Sequence, residues 1–498
     1  MKKIERILLV QPPATSFILG DITPNMPLGL AYIAAVLEGQ GYDVRILDTL
    51  VEGWFNINKL SNGRFQIGLS FEEIKDRVRD FNPQIVGISG MFTAQWHNVT
   101  KTSKMVKAID KNIVVVVGGA HPTATPETAI RDESIDFVVI GEGEMTFLKL
   151  IKALENGNGF DNIKGLAFKN DVGNVINYEK DYIEDLDSLP FPARHLLLLE
   201  KYFAIKISHG GSRRRSRFSS IVTSRGCPAK CIFCSAYKLW GRKYRARSPQ
   251  NVIEEIKMLK AYFGIEELSI EDDNFTLYKE RVHKICDLII SEHLNIVWDT
   301  PNGIATYSVD EDLIKKMKES GCYRISFPIE SGNQEFLSKV IKKPLRLDRV
   351  PRLVNYAKRI GLEVNVFFVV GIPGETEKSI KDTFKFSRKI GIYDPFISIA
   401  TPYPGTPMLE LCIEKGFLVK DFNPANLTIH QYNIETPELP IQKIKKILED
   451  ELRKLRFYYL LDTLKNPNKL VKKMLNVSRN PGRIIKKIIS LNKKFIGT

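Results

Sequence analysis

Cysteine is scarce in this chain: there are 6 in 498 residues, and none occurs before Cys227. Three crowd together, and the other three, Cys286, Cys322 and Cys412, are scattered. This pattern excludes a disulfide framework and favours a reducing compartment with one metal site. No run of about 18 apolar residues is present, which excludes a membrane-spanning helix. Repeats of fixed period are absent too, and 43% apolar and 26% charged residues are typical of globular proteins.

Acidic residues are rare at one end of the chain. Residues 441–498 hold 16 basic and 4 acidic side chains, a net charge of +12, whereas the rest holds 57 and 54, a net charge of +3. A nearly neutral body argues against a protein that binds nucleic acid over its whole surface. The N-terminus MKKIERILLVQPP lacks a long apolar core and a small-residue cleavage site, so we expect a buried strand and a cytoplasmic protein.

The spacing of apolar residues predicts an α/β protein with two sheet domains. Residues 1–155 alternate strand-length apolar runs with helical stretches, which predicts a doubly wound, flavodoxin-like or Rossmann-like parallel sheet. Residues 156–210 are turn-rich and predict a linker with one small hairpin. Residues 211–410 hold six strand–helix units and predict a (β/α)6 partial TIM barrel, followed by a helical, basic region at 411–498. The run Arg213–Arg217 is expected in a solvated loop, with a phosphate or partner contact as the alternative.

The strongest motif is formed by three cysteines. Cys227, Cys231 and Cys234 follow a predicted strand with the spacing C-x3-C-x2-C. Three thiolates this close can hold three irons of a cubic [4Fe-4S] cluster and leave the fourth iron open to a ligand. The alternative is a zinc site, which would need a fourth Cys or His in paired spacing, and only His209 is near. The scattered cysteines are expected to be buried as small apolar residues.

With this motif and the six-unit barrel, residues 215–410 resemble the radical S-adenosylmethionine (SAM) enzymes. The resemblance implies that the open iron binds SAM and that SAM cleavage yields a 5′-deoxyadenosyl radical. The SAM-binding residues that it implies are Phe233 before the third cysteine, Asp272 and Asp273 for the methionine amino group, Arg247 with Arg245 for the methionine carboxylate, Glu330 and Ser331 for the ribose, and Gly371 and Gly374 beside the adenine. Helix capping is the alternative for the aspartates, and a solvated helix start is the alternative for the arginines.

The first domain resembles the cobalamin-binding domain attached to one large subclass of these enzymes. The likeness rests on Gln11-Pro12-Pro13, on PLGLAYIAAVLEGQGYDV and on two glycine loops at predicted strand ends. It implies that cobalamin is bound by Gly118, Gly119 and His121 of one loop and by Gly141, Glu142, Gly143 and Glu144 of the other. The D-x-H-x-x-G motif, which supplies a histidine to cobalt in the wider cobalamin-binding pattern, has no match, and His97 is expected on a helix surface.

These resemblances imply a cobalamin-dependent enzyme that methylates an unactivated carbon of a small-molecule or lipid substrate and takes electrons from an external donor. One alternative keeps the fold and ends in radical ring formation or carbon–carbon coupling without methyl transfer. Another is a membrane-associated binding factor with a structural cluster, because the basic and aromatic C-terminal region suits either a helical cap or a peripheral membrane contact. An RNA substrate is the least favoured, because no RNA-binding module is apparent.

Overall fold

The apolar run at the N-terminus forms a buried interior strand of a largely parallel sheet. The computed structural model describes residues 3–157 and 159–465. The strands of the first region are β1 (Arg6–Gln11), β2 (Ala14–Ser16), β3 (Asp43–Asp48), β4 (Ile57–Lys59), β5 (Phe65–Ile67), β6 (Ile85–Ser89), β7 (Val114–Gly118), β8 (Phe137–Val139), β9 (Leu166–Asn170) and β10 (Gly173–Ile176). The helices are α1 (Leu28–Glu38), α2 (Thr49–Glu52), α3 (Phe71–Phe81), α4 (Trp96–Ile109), α5 (Ala120–Ala124), α6 (Pro126–Arg131) and α7 (Gly143–Asn156).

The order of this sheet is β10-β9-β8-β7-β6-β1-β3. Its five neighbouring strands β8, β7, β6, β1 and β3 are parallel. The chain crosses from β1 to β3 on one side and returns to β6 on the other, as in flavodoxin-like folds. Separate apolar cores lie on the two faces of the sheet, which confirms the doubly wound architecture. The topological switch point therefore lies between the carboxyl ends of β1 and β6, where such folds bind ligands.

The sheet extends beyond the boundary that we expected at residue 155. The hairpin expected inside the linker is present as β9 and β10, but both strands join the first sheet, where β9 pairs antiparallel with β8. Leu166, Ala167 and Phe168 are buried in the cores of this sheet. The linker is thus shorter than 156–210, because these apolar side chains continue the sheet.

The second region begins with α8 (Leu199–Ile205) and a short hairpin of β11 (Ile207–Ser208) and β12 (Gly211–Ser212). Its strands are β13 (Phe218–Ile221), β14 (Ser224–Arg225), β15 (Arg245–Ala246), β16 (Glu267–Ile270), β17 (Val297–Thr300), β18 (Cys322–Glu330), β19 (Glu363–Val370) and β20 (Phe396–Ile399). Its helices are α9 (Ala236–Trp240), α10 (Pro249–Phe263), α11 (Lys279–Ser291), α12 (Glu311–Glu319), α13 (Gln334–Phe336), α14 (Val350–Arg359), α15 (Glu377–Lys389) and α16 (Pro407–Lys415). Parallel pairing in the order β13-β16-β17-β18-β19-β20 confirms the partial barrel.

Local sequence signals explain where the barrel helices start and stop. Ser248 precedes α10, and its hydroxyl accepts a hydrogen bond from the Asn251 amide at 3.1 Å. Pro249 occupies the first helical position, where its missing N–H costs nothing. Gly264 ends the helix in the left-handed conformation, with φ of 64°. The apolar side chains of α10 belong to one buried cluster with the barrel strands and with Leu28 and Ala31 of α1, so the two domains share a core.

The run Arg213–Arg217 is a solvated loop only in part: Arg214, Arg215 and Ser216 are exposed as expected, whereas Arg213 is buried. The guanidinium of Arg213 is fully buried inside the barrel, 3.2 Å from the Asp299 carboxylate and 3.6 Å from the Glu267 carboxylate. Arg217 donates to the Phe263 carbonyl and pairs with Glu200. Glu267 of β16 and Asp299 of β17 face the lumen of the barrel, and their carboxylates compensate the buried charge of Arg213.

The chain continues after the barrel into α17 (Ile441–Lys465). Ile444, Ile447, Leu448 and Leu455 of this helix pack with Phe384 of α15 in a core of their own. The helical region expected for 411–498 is confirmed at the end of α16 and at α17 but not between them, because 416–440 is mostly irregular, and the residues after 465 lie outside the described part of the chain. Among the helices that the structure describes, none is long and apolar enough to cross a membrane.

Candidate active site

A two-stranded ribbon opens and closes the loop that carries the three clustered cysteines. Arg225 of β14 pairs with Arg245 of β15, so the loop begins at Gly226 and returns at the start of β15. Gly226 has φ of 87°, and a Cβ there would lie 2.1 Å from the Lys243 carbonyl oxygen. A glycine is therefore required where the loop leaves the ribbon.

The cysteines of this loop are free and partly exposed, in contrast to Cys286, Cys322 and Cys412, which are buried as expected. In the described part of the chain, no three His, Cys, Asp or Glu side chains converge as one metal ion would require. A cubane does not need such convergence, because each thiolate binds a different iron. A zinc site does need such convergence, and neither His209 nor any other described residue forms such a group with the cysteines. The donor set thus fits a [4Fe-4S] cluster.

Three neighbouring residues after β16, Asp272, Asp273 and Asn274, have different surroundings. Asp272 is buried and accepts hydrogen bonds from the Thr223 amide and hydroxyl at 2.6 Å each, so its side chain braces the end of β13. The Asp273 side chain is partly exposed at the surface, and desolvation by the surrounding protein together with the Asp272 charge raises its pKa to about 6. Asn274 donates to the Cys227 sulfur at 3.5 Å. A contact of Asp272 with the SAM amino group stays a prediction, and Asp273 is the better placed of the two.

The two arginines expected at the methionine carboxylate have protein partners instead. Arg247 is buried and ion-paired with Glu255, which also pairs with Arg194 at 2.6 Å. Arg245 donates to Glu142 at 2.6 Å and to the carbonyl of Ile183 at 2.7 Å. Both guanidinium groups are committed to structural ion pairs, so the structure corrects the expectation that they face the methionine carboxylate.

Lys343 lies beside Glu330 and the cysteine loop, and the sequence interpretation did not select it. Its ammonium lies 3.1 Å from the Glu330 carboxylate, and its side chain is 12% exposed. Burial lowers the pKa of Lys343, but Glu330 and the Cys231 thiolate more than offset it and raise the pKa overall. The segment before it packs on the cysteine loop, because the Ile232 amide donates to the Ile341 carbonyl at 3.0 Å. The sequence signal that could have identified Lys343 is its position, about a dozen residues after the Glu330-Ser331 motif.

The other barrel residues implied by the resemblance follow β18 and β19. Glu330 has φ of 69°, an unusual conformation for a carboxylate residue that ends a strand. Ser331 is buried, and its hydroxyl is 3.3 Å from that of Thr383, so its ribose contact stays a prediction. After β19, Glu375 accepts a hydrogen bond from the Gly371 amide at 2.6 Å and so closes the loop Gly371–Glu375. Desolvation raises the pKa of Glu375 to about 8.

The first domain presents apolar side chains at its switch point. Phe17, Leu19, Met91 and Phe92 are exposed in the loops that follow β1 and β6. The two loops touch, because the Thr15 amide donates to Gln95 at 2.8 Å. Exposed apolar loops at the ligand-binding edge fit a large flat cofactor such as cobalamin. The sequence interpretation did not select these four residues.

The glycine loop after β7 packs tightly under the same edge. Gly119 has φ of 112°, and a Cβ there would lie 2.9 Å from the Gly90 carbonyl oxygen. His121 is buried, its Nδ1 lies 3.1 Å from the Thr93 hydroxyl, and its ring packs on Trp96. Burial lowers the pKa of His121 to about 4, so the imidazole is neutral. Cobalamin contacts of Gly118, Gly119 and His121 stay predictions. His97 is half-buried rather than on the helix surface, and its Nε2 lies 2.8 Å from the Thr15 hydroxyl.

The second glycine loop is clamped to the cysteine ribbon. Glu142 pairs with Arg225 at 3.3 Å and with Arg245 at 2.6 Å, and Glu144 also pairs with Arg225. All four side chains are at most 5% exposed. The Glu142 and Glu144 carboxylates therefore join the two domains, which corrects the expectation that they face cobalamin. Cobalamin contacts of this loop, including those of Gly141 and Gly143, stay predictions. They would be made by the backbone of the loop, because its two carboxylates are ion-paired.

Comparison with known families supports both cofactor sites. Residues 221–387 match the model of the radical SAM superfamily, and residues 23–151 match that of the B12 binding domain. The fold resembles that of the radical SAM methyltransferase TsrM from Kitasatospora setae, solved with cobalamin and a [4Fe-4S] cluster bound. The TM-score is 0.69 at 17% identity, and the match covers 90% of this chain and 91% of the other.

Two curated relatives match almost from end to end. The chain is 34% identical to cytidylyl-2-hydroxyethylphosphonate methyltransferase of Streptomyces wedmorensis, over 88% of this chain and 87% of the relative. It is 35% identical to an uncharacterized methyltransferase of Pyrococcus horikoshii, over 94% of this chain and 95% of the relative. The chain therefore belongs to the radical SAM superfamily, in the branch of cobalamin-dependent methyltransferases that use a [4Fe-4S] cluster, SAM and cobalamin.

Proposed function

We propose that this methyltransferase transfers a methyl group to an unactivated carbon of a small molecule held between the carboxyl edges of its two sheets. The observation that supports this most is the clamp of Glu142 and Glu144 on Arg225, which lies two residues before Cys227. The cobalamin-binding edge thus adjoins the cluster loop. When bound, the cluster and SAM supply a carbon-centred radical and cobalamin supplies the methyl group.

The protein's own part is to hold these groups and to exclude water from them. We assign Cys227, Cys231 and Cys234 to the cluster. We assign SAM binding to Phe233, Asp273, Glu330, Lys343, Gly371 and Gly374. Lys343 suits the methionine carboxylate, because its ammonium is a buried cation close to the cluster thiolates. Cobalamin would lie on the exposed apolar loops of the switch point and on the backbone of the two glycine loops.

The proposal also specifies the substrate class, the electron donor and the location of the enzyme. A small-molecule substrate is preferred to a lipid, because the named substrate of the Streptomyces relative is a small molecule. Ring formation or coupling without methyl transfer is not favoured, because both relatives described above are methyltransferases. We also propose a cytoplasmic enzyme, a peripheral membrane contact through the basic region at 411–498, and an external electron donor that approaches the exposed Pro228 and Lys230 of the cluster loop.

The test uses protein purified without oxygen and reconstituted with iron, sulfide and cobalamin. We expect about four irons and one cobalt per chain. With trideuteromethyl SAM and a filtered metabolite extract, we expect a product that gains one labelled methyl group, and no such product from lipid vesicles. Cys231→Ala should abolish SAM cleavage, and the matched control Cys286→Ala should retain it. Labelled lipid, or cleavage by the Cys231 variant, would contradict the proposal.

A further inference from the structure

A histidine–carboxylate pair lies on the inner face of the barrel, outside the residues assigned above. Nδ1 of His209 is 2.8 Å from Oε2 of Glu271. The Asn302 amide donates to the Glu271 carbonyl at 2.8 Å and to its carboxylate at 3.3 Å, so the carboxylate is fixed. The His209 side chain is 41% exposed, and Nε2 has no hydrogen-bond partner among the described residues. The pair thus presents one open imidazole nitrogen.

The position of Glu271 follows from the alternation of β16. Leu268 and Ile270 pack outward in the core shared with α10 and α11, so Glu267, Ser269 and Glu271 face the lumen. Glu271 directly follows the carboxyl end of the strand, which is the functional end of such barrels. Three residues later Asn274 reaches the Cys227 sulfur at 3.5 Å. The pair therefore borders the chamber of the cluster.

His209 is brought there by the hairpin of β11 and β12, which is not part of the barrel sheet. Arg213, just after the hairpin, is anchored in the lumen by Asp299, and it donates to the His209 carbonyl. Gly210 at the tip has φ of 81°, and a Cβ there would lie 2.9 Å from Pro301. The hairpin tip is thus wedged against the carboxyl end of β17, where it holds His209 in place.

The charges nearby determine which ligand this pair can accept. Arg213 pairs with Asp299 and Glu267, and Arg324 pairs with Asp299, so the two arginines are balanced by two carboxylates. An anionic group bound directly at Nε2 would lie beside the Glu271 carboxylate, and this cluster has no surplus arginine charge to offset the repulsion, which is unfavourable. A hydroxyl group avoids this repulsion. It can donate to the neutral imidazole and accept from the protonated one, so it fits Nε2 in either state.

We propose that His209 and Glu271 form a substrate-binding site of the methyltransferase, at which His209 Nε2 holds a hydroxyl group of the substrate. This inference rests on the proposed function, because it takes the lumen to be the substrate chamber. Glu271 orients the ring and Asn302 orients Glu271. His209 is then a residue that touches the substrate, and Glu271 is a positioning residue.

The test compares two probes that differ by one hydroxyl group, cytidylyl-2-hydroxyethylphosphonate and cytidylyl-ethylphosphonate. Their dissociation constants are measured by calorimetry on the anaerobically reconstituted enzyme. We expect the hydroxyl probe to bind about 10- to 100-fold more tightly, the range of a hydrogen bond to a charged group. His209→Ala should bind both probes equally. Glu271→Gln should lose part of the discrimination, because its amide still accepts from Nδ1 without a charge.

The matched control is His195→Ala, which removes a histidine paired with Glu38 at 3.1 Å in the first domain, and it should keep the wild-type ratio. Equal binding of the two probes by the wild type, or no binding of the hydroxyl probe, would overturn the proposal. So would a His209 variant of wild-type iron content that still discriminates. Methylcobalamin formation by the wild type needs no substrate, so its failure would refute the proposed function separately.

Discussion

Neutralising Glu142 should loosen the joint between the two domains. The clamp holds two arginines, Arg225 and Arg245, against two carboxylates, Glu142 and Glu144, so it is neutral. Glu142→Gln leaves one uncompensated positive charge among side chains that are at most 5% exposed. Breaking a buried ion pair in this way costs about 3–5 kcal/mol. For a domain of this size, that corresponds to a fall in melting temperature of roughly 6–20 °C.

Thermal unfolding followed by circular dichroism measures this effect, and iron retention reports on the cysteine loop that the ribbon closes. The control is Glu179→Gln, which removes an exposed ion pair with Lys164 and should leave the melting temperature unchanged. The double variant Glu142→Gln/Arg245→Gln restores neutrality, so it should melt above the single variant. A Glu142 variant that melts like the Glu179 variant would refute the closed, buried clamp.

Three further outcomes follow from other buried charges. Lys343→Met should weaken SAM binding by about 10- to 100-fold in equilibrium titrations, as for a lost charged hydrogen bond, and unchanged SAM affinity would exclude Lys343 from the site. Because the pKa of Glu375 is raised to about 8 from 4.5, the folded state holds a proton that the unfolded chain releases, so stability should fall as pH rises from about 4.5 to 8. Glu375→Gln should remove that fall in urea unfolding, and parallel pH profiles would contradict the protonated carboxyl. Arg213→Ala should destabilise the chain by about 3–5 kcal/mol in the same assay, whereas Arg215→Ala, which removes an exposed side chain, should not, and equal stabilities would contradict a buried Arg213.

The strands and the cofactor motifs could be predicted from the sequence because their signals are local. The run of apolar residues in β1 is buried in an interior strand of the first sheet, as expected. Ser248, Pro249 and Gly264 mark the ends of α10 through their own backbone preferences. The cysteine spacing likewise indicates a cluster loop, because three ligands within one loop need no distant partner.

The sequence thus determined the order of the elements and the chemistry of the cluster loop. The tertiary structure alone decided which charged side chains are free to meet a ligand. Arg213 is paired with Asp299, which is 86 residues away, and Glu142 is held by an arginine 103 residues away. Such partners meet only after the strands are assembled, and no periodicity or short motif encodes a contact of that range. Burial then makes pairing compulsory, because an unpaired charge in the interior costs several kcal/mol.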